Sequence, residues 1–382
     1  MMDPTRIARG FSRRVGDHVP FVIGGEPCTA QTLTAVLAMW VVERALAQEA
    51  AHPEQIVLSH PASWGTYRKD LLREALWGIG LTNVTLLPEP VTAAESHAAR
   101  GFAAGSTGPL GVYALGGNGF EASVVRRATH HAGFELVGSR EASEPLGGAD
   151  FDEALVARVR ARLGRELDQL SPADPRTRMV LTELRDECAR AKEKLSVAAE
   201  ADVLVQLPHR VAQVSVARAE FEELIRPALQ ATVETLTRVV GSCGLQPEEL
   251  DGVLLLGGAT RIPLVAELLA ARFAGPVAVE PDPQTTAAAG AALAACQILS
   301  GPTQPRPDPE RASQAAALAH PAVQPPRPHD DRNGGPRVEP PPRPPVNITP
   351  LKLPRMRSAS RLIPGRVTRA IPGNPDRSLR LT

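Results

Sequence analysis

Cysteine is rare in this chain of 382 residues, and its distribution excludes several kinds of site. Cys28, Cys188, Cys243 and Cys296 lie far apart, with no Cys-x-x-Cys pair and no Cys/His cluster. Zinc-binding and dithiol redox motifs require such spacing, so the sequence predicts no metal site of this kind. Reduced thiols in the cytoplasm are the simplest interpretation.

Excess charge and long hydrophobic runs are also missing. Lys and Arg together number 42, as do Asp and Glu, so the overall charge gives no argument for a nucleic-acid or membrane partner. No apolar run approaches the roughly 18 residues that a membrane-spanning helix needs. The first residues also lack the apolar core of a signal peptide, and we therefore expect a cytoplasmic protein without a membrane span.

Proline is concentrated at the end of the chain, where the last 82 residues hold 19 of the 37 prolines. This composition predicts that residues 301–382 form a disordered, Pro-rich tail. Within 346–382, eight Lys or Arg stand against one acid, Asp376, which suits docking on an acidic partner or anionic surface. The prolines alternatively suit a polyproline-binding partner, and an unbound, solvated tail is the third interpretation.

Residues 251–263, D-G-V-L-L-L-G-G-A-T-R-I-P, combine an apolar run with a glycine pair. The run Val253 to Leu256 is typical of a buried strand, and Gly257 and Gly258 end it before Pro263 opens a helix. A glycine turn at a helix N-terminus allows backbone N–H groups to approach a phosphate. The pattern therefore predicts one half of a phosphate-binding site.

A second strand and glycine cluster occurs upstream, at 110–119, L-G-V-Y-A-L-G-G-N-G. The following residues, 120–126, alternate in polarity as the returning strand of a hairpin would. Two such elements in one chain predict two loops that enclose one nucleotide.

Six stretches in order along the chain resemble the 70-kDa heat-shock (DnaK-type) chaperone family of the actin-like ATPase superfamily. They are L-L-P-E-P-V-T-A-A-E at 86–95, the hairpin at 114–124, P-L-G-G-A-D-F-D at 145–152, C-A-R-A-K-E-K-L-S at 188–196, L-L-L-G-G-A-T-R-I-P at 254–263, and A-A-A-G-A-A at 287–292. The resemblance covers about residues 10–297. It implies an α/β, ribonuclease-H-like fold of two lobes.

The resemblance also implies a domain organisation. Residues 1–108 would form an incomplete first lobe, and 109–300 a second lobe with a mostly helical insertion at about 148–220. The family's first hairpin, with its D-L-G-T-T phosphate loop, has no match, which suggests a truncated gene or a late start codon. We therefore expect the first lobe to have an incompletely paired sheet edge.

Hydrophobic periodicity predicts the individual elements. The predicted helices cover 29–51, 67–81, 92–101, 150–170, 174–196, 221–240 and 285–299. The predicted strands cover 55–59, 83–87 and 277–279, with a hairpin at 201–216. The first helix carries an apolar stripe that predicts packing against a core: Leu33, Leu37, Trp40, Val41 and Leu46.

By resemblance, several residues match the family's nucleotide-binding positions. They are Gly116, Gly117, Gly119, Gly147, Gly148, Lys192, Ser196, Gly257, Gly258, Ala259 and Arg261. Lys192 and Ser196 match adenosine contacts, whereas Glu193 stands where the family has an arginine that packs on adenine. The alternative for this helix is a solvated, charged face.

Three further residues match the family's catalytic and relay positions. Glu89 matches a catalytic glutamate near the metal and its waters, although the helix dipole alone also favours a carboxylate there. Pro61 and Lys69 match residues that relay nucleotide state between domains. Their alternative roles are a strand terminator and a solvated cation.

At other matched positions the polar group has changed. Ser12 stands in place of the catalytic lysine, Ala114 in place of an aspartate beside the magnesium, and Gly119 in place of a threonine near the γ-phosphate. Glu121 replaces an aspartate and is one methylene longer. Each missing preorganised group costs about 100- to 1,000-fold in rate, so hydrolysis should be weak or defective.

Together these observations predict a chaperone-like module that binds ATP or ADP, or neither, and acts through protein contacts. Magnesium is implied by the resemblance, but its neighbouring aspartate is replaced. A competent ATP-dependent chaperone is the alternative if the true start lies upstream, and a scaffold that binds no nucleotide is another. A sugar or acetate kinase of the same superfamily would need a catalytic aspartate beside a substrate pocket, and no candidate stands out.

Overall fold

The computed structural model describes residues 6–102, 107–129, 133–141, 146–164, 167, 174–279 and 282–300. The predicted tail at 301–382 lies outside these residues, as does part of the P-L-G-G-A-D-F-D stretch. Within the described ranges, no helix has the length and hydropathy needed to cross a bilayer.

The described elements alternate between helices and strands in a mixed α/β order. The helices are α1 (Ala30–Glu49), α2 (Thr66–Gly78), α3 (Glu89–Ala99), α4 (Gly148–Leu163), α5 (Pro175–Leu195), α6 (Arg218–Ser242), α7 (Pro263–Arg272) and α8 (Thr286–Ser300). The strands are β1 (Phe21–Ile23), β2 (Glu26–Cys28), β3 (Ile56–His60), β4 (Val84–Pro88), β5 (Leu110–Leu115), β6 (Phe120–Arg127), β7 (Phe134–Glu141), β8 (Glu200–Leu207), β9 (Arg210–Ala217), β10 (Gly252–Leu256) and β11 (Val277–Ala278).

The principal sheet has five strands in the order β11-β10-β5-β6-β7. Strands β11, β10 and β5 are parallel, whereas β5, β6 and β7 are antiparallel neighbours. All five residues of β10 are buried, as expected for a parallel strand covered on both faces. The parallel pairing of β10 with β5 brings the carboxyl ends of the two apolar runs to one edge, with Leu256 opposite Ala114.

Strand β7 has no counterpart among the predicted elements. Its sequence, F-E-L-V-G-S-R-E, loses apolar alternation at Gly138, and its pairing with β6 shifts register between Val124 and Val125. The short hairpin of β1 and β2 was likewise not predicted. Both elements depend on a neighbouring strand more than on their own pattern.

The first part of the chain contributes only small sheets. Strands β3 and β4 form a separate parallel pair, and β1 and β2 form a hairpin. Among the described residues, β3 and β4 each have a single strand partner, so one edge of each strand is left without a strand neighbour. This pairing is consistent with the expected incompletely paired sheet edge, which stays a prediction.

Helix α1 begins where the sequence predicts, because Thr29 caps it and accepts the Thr32 N–H at 3.3 Å. Its predicted apolar stripe is only partly buried: Leu33 is 8% exposed, but Trp40 and Val41 are 46% and 52% exposed. The prediction that the whole stripe packs against a core is therefore wrong. Helix α2 and a short turn at 11–14 cover one side of α1 and leave these two side chains uncovered.

The predicted helical insertion consists of α4, α5 and the hairpin of β8 and β9. One hydrophobic cluster joins it to the principal sheet through Phe151 and Leu155 of α4 and Tyr113 and Phe120 of the sheet. Continuous packing of this kind holds the N-terminus of α4 against the β5-β6 turn. That contact positions the candidate site.

Candidate functional site

Two glycine turns meet at the carboxyl edge of the principal sheet. Gly257, which follows β10, has a φ of 90°, and a Cβ there would lie 2.4 Å from the Leu115 carbonyl oxygen and 3.0 Å from the Gly116 nitrogen. A side chain would therefore be strained and would also clash with the neighbouring turn. The two stretches that the sequence singles out are in direct contact.

The N-terminus of α4 packs against the β5-β6 turn. The Gly148 and Ala149 N–H groups donate to the Gly116 and Gly117 carbonyls at 2.9 and 2.7 Å. A Cβ on Gly147 would lie 2.6 Å from both the Gly117 oxygen and the Gly119 nitrogen. Gly147 and Gly148 thus seat the helix on the turn, and nucleotide contact at these two residues stays a prediction.

The β5-β6 turn itself presents donors for an anion. The Gly116 N–H donates to the Gly119 carbonyl at 2.8 Å and closes the turn. Within the described part of the chain, the N–H groups of Gly117, Asn118 and Gly119 have no acceptor. Backbone N–H groups of a turn can bind an anion, and Gly119 is the one of these three residues that lines the cavity described below.

Lys192 lies beside the same turn. Its Nζ donates to the Gly148 carbonyl at 2.9 Å and pairs with Asp152 Oδ1 at 2.8 Å. A Cβ on Gly148 would lie 3.0 Å from this Nζ and 3.6 Å from the Ala259 Cβ, so α4, α5 and the turn after β10 converge here. Ser196 directly follows α5, one helical turn beyond Lys192, with its Oγ 3.5 Å from the Lys192 carbonyl oxygen.

A cavity of about 170 Å³ opens between the glycine turns and the β3 and β4 ends. It brings together five of the residues predicted from the sequence and several others. Its walls are formed by Arg13, Pro61, Trp64, Glu89, Ala114, Gly116, Gly119, Phe120, Glu121, Leu256 and Gly257. The cavity contains two carboxyl groups and one guanidinium. The five predicted residues in its wall are Pro61, Glu89, Gly116, Gly119 and Gly257.

Glu121 of β6 is committed to the backbone of a neighbouring loop. Its two oxygens accept the Ala62 and Ser63 N–H groups at 2.9 and 2.7 Å, and its side chain is buried. The extra methylene relative to aspartate supplies reach toward this loop, which follows Pro61. Glu121 therefore ties β6 to the segment between β3 and α2.

Glu89 begins α3 directly after β4. Burial, with a smaller contribution from the Glu121 charge, raises its pKa from 4.5 to about 7. A carboxyl group in this environment exchanges its proton near neutral pH, which is the property of a general acid or base. The catalytic role of Glu89 stays a prediction.

Arg13 was not assigned to the site from the sequence. Its guanidinium lies over Gly119, where a Cβ would be 1.7 Å from Nη2. The space above this glycine is therefore occupied by the Arg13 side chain. The match of the neighbouring Ser12 to the family's catalytic lysine is the signal in the sequence that could have placed Arg13 near the hairpin.

The remaining predicted residues do not form the wall of this cavity. Burial lowers the pKa of His60 at the end of β3, and the nearby Lys69 charge lowers it further. Gly258 packs beneath Gln284, whose side chain would clash with a Cβ there at 2.5 Å. Arg261 is exposed at the end of a short 3-10 turn that leads to α7.

The side chains of this cavity fit a magnesium ion poorly. Mg²⁺ prefers charged or neutral oxygen ligands in octahedral geometry, but Ala114 supplies none and both Glu121 oxygens accept backbone N–H groups. Protonation of Glu89 near neutral pH further weakens it as a ligand. In the described ranges, no three His, Cys, Asp or Glu side chains group in a way that could hold a metal.

Comparison with known proteins identifies similar sequences. A family model described as Hsp70 protein matches residues 14–307. A chaperone protein HscA homolog from Acidithiobacillus ferrooxidans is 31% identical over 279 residues, which is 72% of this chain and 42% of that protein. The HscA homologs of Burkholderia mallei and Burkholderia pseudomallei are 34% identical over 247 residues, 64% of this chain and 38% of theirs. The chain thus spans about two fifths of the length of these relatives.

Proposed function

The chain belongs to the Hsp70 family, and we propose that it is an adenine-nucleotide-binding module that hydrolyses ATP poorly and acts through protein contacts. The observation that carries this proposal is the direct contact of the two glycine turns beside a cavity whose wall includes Gly116, Gly119 and Gly257. The turns come from separate parts of the chain, as expected for two loops that hold one ligand.

The phosphate end of the ligand would lie at the β5-β6 turn. The N–H groups of Gly117, Asn118 and Gly119 point to this assignment, because they lack acceptors within the described chain. The adenosine end would lie toward Lys192, Ser196 and Ala259, where α5 meets the turn after β10. The charged Glu193 would weaken adenine binding relative to a stacking arginine.

Poor hydrolysis follows from the side chains at the phosphate end. Phosphoryl transfer needs charge stabilisation and an oriented nucleophilic water. Ala114 and Gly119 carry no polar side chain, and Ser12 is exposed on the turn at 11–14. Glu89 could still position a water, but one general base without electrostatic partners supplies only part of the required stabilisation.

The proposal is tested by thermal unfolding of the full chain with increasing ADP or ATP. A ligand that binds only the folded state adds about 2.7 kcal/mol of stability at 100 times its dissociation constant. We expect a saturable rise in the unfolding temperature with either nucleotide, and little release of phosphate from ATP.

A matched pair of variants locates the binding site. A Cβ on Gly117 or on Gly241 would meet no atom within 4 Å, so Gly117→Glu and Gly241→Glu add the same charge without a steric clash. Gly117→Glu should abolish the nucleotide-induced shift, because its carboxylate would repel phosphate, whereas Gly241→Glu in α6 should keep it. Equal shifts for the two variants would contradict the assigned phosphate position.

A further inference from the structure

We propose that the cavity between the two glycine turns and the ends of β3 and β4 binds the phosphates of the nucleotide directly, without a divalent cation. The Arg13 guanidinium supplies the positive charge. The inference rests on the proposed nucleotide-binding function and specifies how its phosphate end works. Arg13, Gly119 and Glu121 carry the argument, since all three line the same cavity.

The first step concerns the carboxylates that would otherwise attract a cation. Glu121 directs its oxygens to the Ala62 and Ser63 N–H groups at 2.9 and 2.7 Å. A carboxylate that accepts two backbone hydrogen bonds is held in place, and turning it toward a metal would leave both donors without an acceptor. Glu121 therefore serves as a structural link between β6 and the loop after β3.

The second step concerns the side chains opposite Glu121. Ala114 lies directly across the β5-β6 pair from Glu121 and offers only a methyl group. Glu89 carries a pKa raised to about 7 by burial and by the Glu121 charge. At neutral pH a large share of this group is protonated and neutral, so it neither attracts a cation strongly nor strongly repels a phosphate.

The third step concerns Arg13. Its guanidinium fills the space above Gly119 that any larger residue would need, and the Arg13 side chain remains exposed to solvent. Among the described residues, Arg13 has no ion pair or hydrogen bond that would hold it elsewhere. A planar guanidinium binds phosphate oxygens through two parallel hydrogen bonds.

These groups together make a cation-independent phosphate site. Arg13 lies on one side of the β5-β6 turn, and the N–H groups of Gly117, Asn118 and Gly119 belong to the turn itself. One full charge and three backbone dipoles offset the phosphate charge that a metal would otherwise neutralise. Ala114 and Gly119, which stand where the family has an aspartate and a threonine, are consistent with this arrangement.

The test is isothermal titration calorimetry of the full chain with ADP, once in excess Mg²⁺ and once in excess EDTA. We expect dissociation constants within about threefold of each other, because a direct site gains little from the metal. ADP binding that appears only with Mg²⁺ would overturn the inference and leave the proposed function intact. No binding in either buffer would overturn the proposed function as well.

Arg13→Gln and Arg9→Gln form a matched pair for the same titration in EDTA. Both remove one charge from the same segment, and Arg9 is exposed and does not line the cavity. Arg13→Gln should weaken ADP binding by about tenfold or more, whereas Arg9→Gln should change it less than about twofold. Retained affinity in Arg13→Gln would remove Arg13 from the site, provided that its unfolding temperature without nucleotide matches that of the unmodified chain.

Discussion

Glu89 lines the candidate site, and its ionisation also affects the stability of the fold. It stands at the start of α3 and lines the cavity with Glu121 and Arg13. Burial and Glu121 raise its pKa from 4.5 to about 7. The folded chain therefore retains a proton that the unfolded chain releases between these two pH values.

This linkage predicts that Glu89 destabilises the fold as pH rises. Stability from protonated Glu89 is fully present below about pH 4.5 and is lost as pH rises through about 7. Glu89→Gln removes this titration. The free energy of unfolding of the variant minus that of the unmodified chain should therefore increase by up to about 3 kcal/mol from pH 4.5 to pH 8. Urea unfolding at several pH values measures this difference.

The matched control for that experiment is Glu43→Gln, because Glu43 is exposed on α1 and lies outside the cavity. Its difference from the unmodified chain should stay nearly constant with pH. A constant difference for Glu89→Gln as well would show that the Glu89 environment is more hydrated than the structure indicates.

The junction between α4 and the β5-β6 turn depends on close backbone contact. Gly147 lies between the two elements, and three backbone atoms of the turn occupy the place of its missing side chain. The helix donates its Gly148 and Ala149 N–H groups to this turn. Any movement of the helix start would therefore also reshape the β5-β6 turn.

Gly147→Ala should destabilise the chain and weaken nucleotide binding. A Cβ at this position meets the Gly117 oxygen at 2.6 Å, and overpacking of this kind costs about 1–3 kcal/mol. Denaturant unfolding measures the loss, and an ADP titration measures the effect on binding. Gly241→Ala, in an open part of α6, is the control and should not destabilise the fold; equal effects of the two substitutions would contradict the proposed tight junction.

The hydrophobic clusters of the described chain extend from Ala8 to Ala287. Helix α8 closes this region by packing against α3, where a Cβ on Gly290 would lie 1.6 Å from the Thr92 carbonyl oxygen. The core residues of the described ranges thus all precede the Pro-rich segment 301–382. We therefore expect residues 301–382 to be dispensable for folding.

A chain that ends at Ser300 should therefore unfold at the same temperature as the full chain and bind ADP with the same affinity. Calorimetry and titration of the two chains measure both properties. A fall of several degrees on truncation would mean that residues 301–382 contribute to the fold. Docking of the basic segment 346–382 on an acidic surface stays a separate prediction.

Much of the architecture follows from local patterns along the chain. The β10 run, its glycine pair and Pro263 predict a strand, a turn and a helix, and the structure contains all three. The hairpin of β5 and β6 is equally explicit, because alternation and turn glycines act over a few residues. The Hsp70 resemblance is confirmed by the family model that matches residues 14–307.

The sequence by itself thus determined the family, the order of most elements and the glycines at which two turns could meet, because backbone conformation and hydrophobic period are local properties. Only the tertiary structure decided that Trp40 is exposed, that Glu121 binds the loop at 62–63, and that Arg13 covers Gly119. Each of these outcomes depends on what lies opposite a side chain. That neighbour comes from a distant part of the chain, and no local pattern records it.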